Sequence, residues 1–486
     1  MPQDWISTGI PNAILRDGWW LDDQPPETTP ETPPARRPGR RALWSAAGLV
    51  ILADALFWQH EAGLSLVLFG ATIFAAAALC RGRRDGVLAP AILLGISFLP
   101  VVEHLQVLSL LFWMAGLLVA LGWLAFGSQG AAAGARSLLA RSPIAGLALL
   151  EAEFRAARTA GATWKSGQIL RGWALPIGGG LLLLGLLAEA NPVLERWLGE
   201  ALASPDPSLA MRGMFWAGSG LILLPLLLPP APRPQNRTIF AAPRGIFGVN
   251  AASVSRALVL FNLILAVQTA MDAAFLWTGA ELPPGTSHAA YAHRGAYPLL
   301  VTALLAGAFA LAARPWTDEH RGLRLLLLLW LVQNMALVGS ALLRLDLYVD
   351  AFGVTYLRAH AAIWMALVAA GLGLTLAQIA LRRDNGWLLH RAAALGIVTL
   401  YLCCFINFAD LIVRETLRRG APIDSYYLCE TLGPTAAAAL MDARIGCRID
   451  PPETQDWRDW GFRDWRVRRY VKALEDGLHE NPDRGR

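Results

Sequence analysis

The feature that most constrains this chain is a recurring apolar run about as long as a bilayer is thick. Hydropathy places about eleven such runs, near 42–58, 64–80, 87–102, 107–126, 172–190, 208–229, 254–277, 295–313, 323–343, 358–381 and 388–409. A helix needs about 20 mostly apolar residues to cross the hydrocarbon layer. Inside that layer every backbone N–H and C=O must find its partner within the protein, which leaves helices and closed barrels. The sequence therefore predicts an all-α, polytopic membrane bundle. Composition agrees: 16% of the 486 residues are charged and 55% are hydrophobic, where a soluble protein carries about 25% charge. The third run is short and holds Pro90 and Pro100, which predicts a tilted, kinked or half-spanning helix.

The loops are unequal in charge. On the N-terminal side lie Arg36, Arg37, Arg40, Arg41, Arg81, Arg83, Arg84, Arg136, Arg141, Arg233, Arg237, Arg244, Arg256, Arg314, Arg321, Arg324, Arg382, Arg383 and Arg391, among others. The opposite side holds Arg196, Arg212, Arg294, Arg344 and Arg358 before the C-terminal segment. This bias predicts a cytoplasmic N-terminus, and an odd number of spans then puts residues 410–486 in the periplasm of a bacterial inner membrane. No secretory signal is expected, since the first long apolar run begins near Ala42. Three segments result: a Pro- and Thr-rich disordered tail over 1–41, a membrane domain over 42–409 and a small helical domain over 410–486.

The C-terminal segment ends in an unusual stretch, "DWRDWGFRDWRVRRY", Asp456 to Tyr470. Three Asp among five Arg make a poor phosphate surface, so nucleic acid is not expected as a partner. Helical spacing of Phe462, Trp465, Tyr470, Val471 and Leu474 predicts a helix from about Gly461 to Gly477. Asp459–Arg463 and Asp464–Arg468 are expected as i,i+4 pairs on it. The three Trp are expected to pack on the domain or at the lipid interface. Upstream, two short helices are expected on either side of Gly433-Pro434, flanked by Cys429 and Cys447. In an oxidising compartment these two can form a disulfide; otherwise they are ordinary buried thiols.

Several stretches resemble a family of bacterial polytopic membrane proteins, the one labelled domain of unknown function 4173. They include "LADALFWQHEAGLSLVLF" (52–69), "LPVVEHLQVLSLL" (99–111), "FNLILAVQTAMDAAFLW" (261–277), "YAHRGAYPLLVTALLAGAF" (291–309), "LLRLDLYVDAFGVTYLRAHAAIWM" (342–365) and "LYLCCFINFADLI" (400–412). The resemblance covers nearly the whole chain beyond the N-terminal tail. It implies an integral membrane protein and assigns no reaction.

Polar residues within spans are the candidates for function. Charges gather toward the side opposite the N-terminus: Asp272, His293, Arg294, Arg344, Asp346, Arg358, His360 and Asp410 form the candidate cluster, with Asp54, Glu103 and His104 at similar depth. Asp272 lies deepest and needs a cationic partner, with Arg294 and His293 the nearest choices. For Arg344, Arg358 and Glu103 the expectation is snorkelling into the headgroup zone. There is no phosphate-binding Gly-rich loop, nucleophile elbow or His-Glu-x-x-His zinc motif, and no cofactor or metal is expected. The reading is a non-catalytic scaffold, sensor or accessory subunit for envelope processes, with the lipid bilayer and another membrane protein as partners. The alternative is a transporter, or an enzyme acting on a lipid-linked substrate through the candidate cluster.

Overall fold

A computed structural model describes residues 40–82, 86–159, 187, 191, 207–228, 251–274, 302, 304–313, 316, 320–422, 424–447 and 450–480. Among these the chain is helical, with no strand. The helices are α1 Arg40–Phe57, α2 Leu64–Arg81, α3 Leu88–Glu103, α4 Val107–Thr159, α5 Pro207–Leu227 and α6 Ala251–Asp272. They continue with α7 Leu304–Ala313, α8 Arg321–Phe352, α9 Tyr356–Ala380, α10 Asn385–Cys403, α11 Phe408–Arg418, α12 Ala437–Asp442 and α13 Phe462–Glu480.

Seven of these helices (α2, α4, α5, α6, α8, α9 and α10) are long and apolar enough to cross a membrane. Three more expected spans coincide with helices that fall short of that standard. In α1, Arg40, Arg41 and Asp54 fall within 18 residues; α3 has 16 residues, with Pro100 inside it; α7 is described only from Leu304. The expected span 172–190, apart from residue 187, and the tail up to residue 39 lie outside the described residues.

The chain divides into two compact units, Met1–Trp58 with Thr72–Pro90 and Leu118–Arg233, and Gln59–Ala71 with Ala91–Leu117 and Pro234–Arg486. Residues 410–480 thus share a unit with α6 to α10.

In the first unit α1 packs on α5 through Ala42, Ala46, Leu49, Ala53 and Leu56, a stripe of alternating four- and three-residue steps. Small side chains in that stripe let helix backbones approach closely. Near its end, Asp54 pairs with Arg212 of α5 and accepts from Trp216 Nε1 at 2.9 Å. The Arg212 guanidinium also lies over the rings of Trp58 (6.0 Å) and Trp216 (5.5 Å). Arg81 donates to the Leu121 carbonyl of α4 (2.8 Å) and to the carbonyls of Leu226 (3.3 Å) and Leu228 (3.4 Å), the last two being acceptors that the end of α5 leaves open. Within α4 the chain doubles back at Gly127, whose φ of 76° suits glycine. A Cβ on Gly134 would stand 2.8 Å from the Gly122 Cα, so the two arms touch backbone to backbone.

The second unit is built on α8. Seven of its buried residues, Leu323, Leu327, Trp330, Asn334, Leu337, Ala341 and Arg344, step by four and three in alternation, and Leu331, Val338, Ser340 and Val349 are buried as well. The alternation is the period of a coiled-coil seam. Val254, Leu258 and Leu265 of α6 and Met365, Val368 and Leu372 of α9 complete the apolar core. Asn262 Nδ2 donates across from α6 to the Leu326 carbonyl at 3.1 Å. The expected span 388–409 ends early, at Cys403. Asn407 instead caps a new helix, accepting from the Asp410 N–H at 3.4 Å, and α11 buries Ala409, Ile412, Val413 and Thr416.

The C-terminal segment packs Ile412, Val413, Leu428, Leu432, Ala436 and Leu440 into a small core. Cys429 and Cys447 form a disulfide with Cα atoms 5.4 Å apart. The chain turns back at Arg444, which adopts a φ of 54°. The final helix begins at Phe462, so Asp459 precedes it and the expected Asp459–Arg463 pair does not form. Asp459 instead accepts from the backbone N–H groups of Gln455 (2.6 Å) and Asp456 (3.2 Å). This local turn meets the start of α2: Leu64 N–H donates to the Trp460 carbonyl (3.2 Å) and Ser65 N–H to that of Arg458 (3.1 Å). A Cβ on Gly63 would lie 2.5 Å from the Asp459 carbonyl carbon. Gly63→Ala should therefore lower stability by about 1–3 kcal/mol, whereas Gly48→Ala, with nothing within 4 Å of the added carbon, should not. Thermal melts of the two purified variants check this.

Candidate functional site

The deepest candidate, Asp272, is the last residue of α6 and is fully buried. Its partner is Arg344 of α8, 4% exposed, which pairs with Oδ1. Gln268, one turn back on α6, donates to the same oxygen at 2.9 Å. Arg344 therefore does not snorkel: it falls on the inward stripe of α8, where the Asp272 carboxylate compensates its charge. The other carboxylate oxygen, Oδ2, has no hydrogen-bond partner among the described residues. His293 and Arg294, expected beside Asp272, lie outside the described residues.

The remaining candidates gather where α8 ends and α9 begins. Asp346 and Asp350 are four residues apart, on one face of α8. Both accept from Arg419 Nη1 at 2.6 Å, while Arg419 Nε donates to Glu415 at 2.7 Å. Arg418 completes a two-pronged bond to Glu415 (2.6 and 2.7 Å). Donation by Arg418 and then Arg419 holds the Glu415 carboxyl down from an ordinary 4.5 to about 2. The same three carboxylates raise the pKa of Arg419.

Arg358 closes the α8–α9 turn by donating to the Phe352 carbonyl (2.8 Å) and to that of Gly353, with its guanidinium 4.5 Å from the Tyr348 ring centre. It too is held by the protein instead of extending to headgroups. His360 packs edge-on against Phe408 (5.2 Å) and stacks near Tyr356 (6.2 Å). Asp410 pairs with Arg414 (2.9 Å), which also reaches Asp442 (3.2 Å).

A second buried charge group involves the unusual C-terminal stretch. Arg463, 4% exposed, donates from Nε to Glu103 (3.2 Å) and from Nη2 to the Cys404 carbonyl (2.8 Å). Arg466 adds a further bond to Glu103 at 3.2 Å. Asp464, expected to pair with Arg468, lies 3.3 Å from His104 Nδ1. Thus Glu103 does not snorkel, and tertiary partners displace the local pairs. The aromatics form a chain in which Trp460 neighbours Phe462 (6.4 Å) and Phe462 stacks on Trp465 (5.7 Å). Arg466 sits over Phe462 (5.3 Å) and Arg469 over Trp465 (5.4 Å).

Asp350, Glu415 and Arg419 belong to this cluster although none of them was among the candidates expected from the sequence. The i,i+4 carboxylates of Asp346 and Asp350 were a readable signal, since that spacing aims both at one cation. Among the described residues no group of three His, Cys, Asp or Glu side chains could hold a metal ion.

The Glu415 ties set a pH dependence. A carboxyl with a depressed folded pKa adds stability above its unfolded value, and that stability is lost as pH falls through the folded one. The thermal midpoint of the protein should therefore drop as pH falls from about 4.5 toward 2. Glu415→Gln should flatten that part of the profile, as read from melts across the range.

No curated protein and no solved structure matches the chain. One family's sequence model does match, over residues 88–443. Its number differs from the 4173 of the resemblance drawn above; what the two have in common is a family without an assigned role. The match spans most of the chain, and the chain belongs to the family described as Domain of unknown function (DUF4153).

Proposed function

We propose that this chain is a non-catalytic scaffold or accessory subunit of a bacterial inner membrane, serving envelope processes alongside another membrane protein. The observation that carries this reading is the fate of the candidate charges. Asp272 and Arg344 neutralise each other in a buried seam, Asp346 and Asp350 are spent on Arg419, and Arg358 holds a turn. Groups committed in this way fix helices against one another and are poorly placed to bind and release a substrate.

The proposed topology puts the N-terminus in the cytoplasm and residues 410–486 in the periplasm. Loop charge supports the first assignment. The Cys429–Cys447 disulfide supports the second, because such bonds persist in oxidising compartments. A phosphatase fused after Arg419 should be active, and a fluorescent protein fused there should be dark; the reverse pattern overturns this orientation.

A second reading, a transporter or an enzyme acting on a lipid-linked substrate, rests on Oδ2 of Asp272, which has no hydrogen-bond partner among the described residues. Paired substitution separates the two. Removing one member of a buried ion pair costs about 3–5 kcal/mol, while replacing both with apolar residues of similar volume is often nearly neutral. Asp272→Leu or Arg344→Met alone should deplete the protein from membranes, and the double variant should restore its level. In a scaffold the double variant also complements a deletion strain. Normal protein level without complementation would favour catalysis or transport.

A further inference from the structure

Between α6, α7 and α8 lies a groove of about 550 Å³. Phe261, Phe309 and Trp330 form its floor, each ring 5.1–5.8 Å from the other two. Its α7 wall carries Ala308 and Ala312, one turn apart, and these small residues leave the space open. The lining is almost wholly apolar, with Thr302 the one polar side chain. At the rim Ile264 is 57% and Leu305 63% exposed, continuous with exposed Leu260, Leu263 and Val267 on α6. Such a face on a helix fit to cross a membrane meets lipid chains.

Depth and direction follow from the helices. The ties Asn262–Leu326 and Asp272–Arg344 run in the same order along both helices, so α6 and α8 are parallel. Phe261 is ten residues into α6 and Trp330 nine into α8, about 15 and 13.5 Å from their starts. That is roughly half the hydrocarbon thickness of about 30 Å. The groove thus sits where the tail of a lipid from the leaflet at those N-terminal ends would reach. At the same ends stand Arg256, Arg321 and Arg324. No ion pair of these three is seen among the described residues, whereas Arg212, Arg344, Arg414, Arg418, Arg419, Arg463 and Arg466 each meet a carboxylate.

We propose that the groove holds one acyl chain of an anionic phospholipid from that leaflet, with its phosphate against Arg256, Arg321 and Arg324. A slot lined almost wholly by apolar side chains accepts a hydrocarbon tail and rejects a headgroup. Three guanidinium groups at headgroup level, with no ion pair among the described residues, favour a lipid of net negative charge.

The test uses the full-length protein in detergent and phosphatidylglycerol with a photoactivatable diazirine at the end of an acyl chain. Peptide mass spectrometry should find label within residues 261–265 and 305–312, several-fold above the exposed Ile397, Val398 and Leu402 face of α10. Unlabelled phosphatidylglycerol should compete, and phosphatidylcholine and glycerol 3-phosphate should not. Replacing all three arginines with Gln should abolish the preference for phosphatidylglycerol over phosphatidylcholine while leaving labelling of the groove intact. Ala308→Trp should remove the label from the groove. Equal labelling of α10 by the wild-type protein would reduce the groove to ordinary lipid-facing surface. Equal competition by phosphatidylcholine or by glycerol 3-phosphate, or cross-linking of the groove to a second copy of the chain, would also overturn the proposal.

Discussion

A charge taken below the membrane surface has to bring its counter-charge with it, and most of the second unit is arranged around that rule. Arg344 could not stay on the inward stripe of α8 without Asp272, nor Asp272 at the end of α6 without Arg344. Their pairing sets which faces of the two helices meet and at what height. The four-three seam can then close over Leu337 and Ala341 without a register slip. Apolar surface alone would not choose this register, because lipid solvates a leucine face as well as another helix does. The buried amide of Asn262, bonded to the Leu326 carbonyl, fixes the other end of the same seam.

Much of the fold was legible because hydropathy reports directly on what a bilayer permits. Every expected span that falls on described residues coincides with a helix, and the last helix begins within one residue of its expected start. Boundaries failed where a local signal outranked hydropathy. Apolar character continues past Cys403 through Phe405 and Ile406, yet Asn407 ends it by capping α11. The expected span 107–126, by contrast, ends one residue before the reversal at Gly127, although only the backbone angle shows that the chain doubles back there.

The candidate site was legible in membership and illegible in partnership. Asp272 was recognisable as a residue in need of a cation, but sequence distance pointed to His293 and Arg294, while the helix geometry brings Arg344 from 72 positions away. Glu103 and Arg463 were harder still, with 360 residues between them. Local pairing rules assigned Arg463 to Asp459, and those rules apply only within a helix that in fact starts at Phe462. Depth along a span is a one-dimensional quantity that hydropathy measures well. Which charges share a level on different helices depends on packing, which a single sequence does not display.

The tie between Glu103 and Arg463 also bears on how the protein is made. A chain emerging from the ribosome at about 5–20 residues per second delivers Glu103 well before Arg463. Through that interval Glu103 and the Cys404 carbonyl lack the guanidinium that later satisfies both. The second unit cannot reach its final arrangement until Arg463 has been made. A message cut short between Cys403 and Arg463 would yield a protein that holds the long apolar helices and an acidic side chain left without its cation. Membrane quality-control proteases could recognise that defect without reading the missing residues themselves.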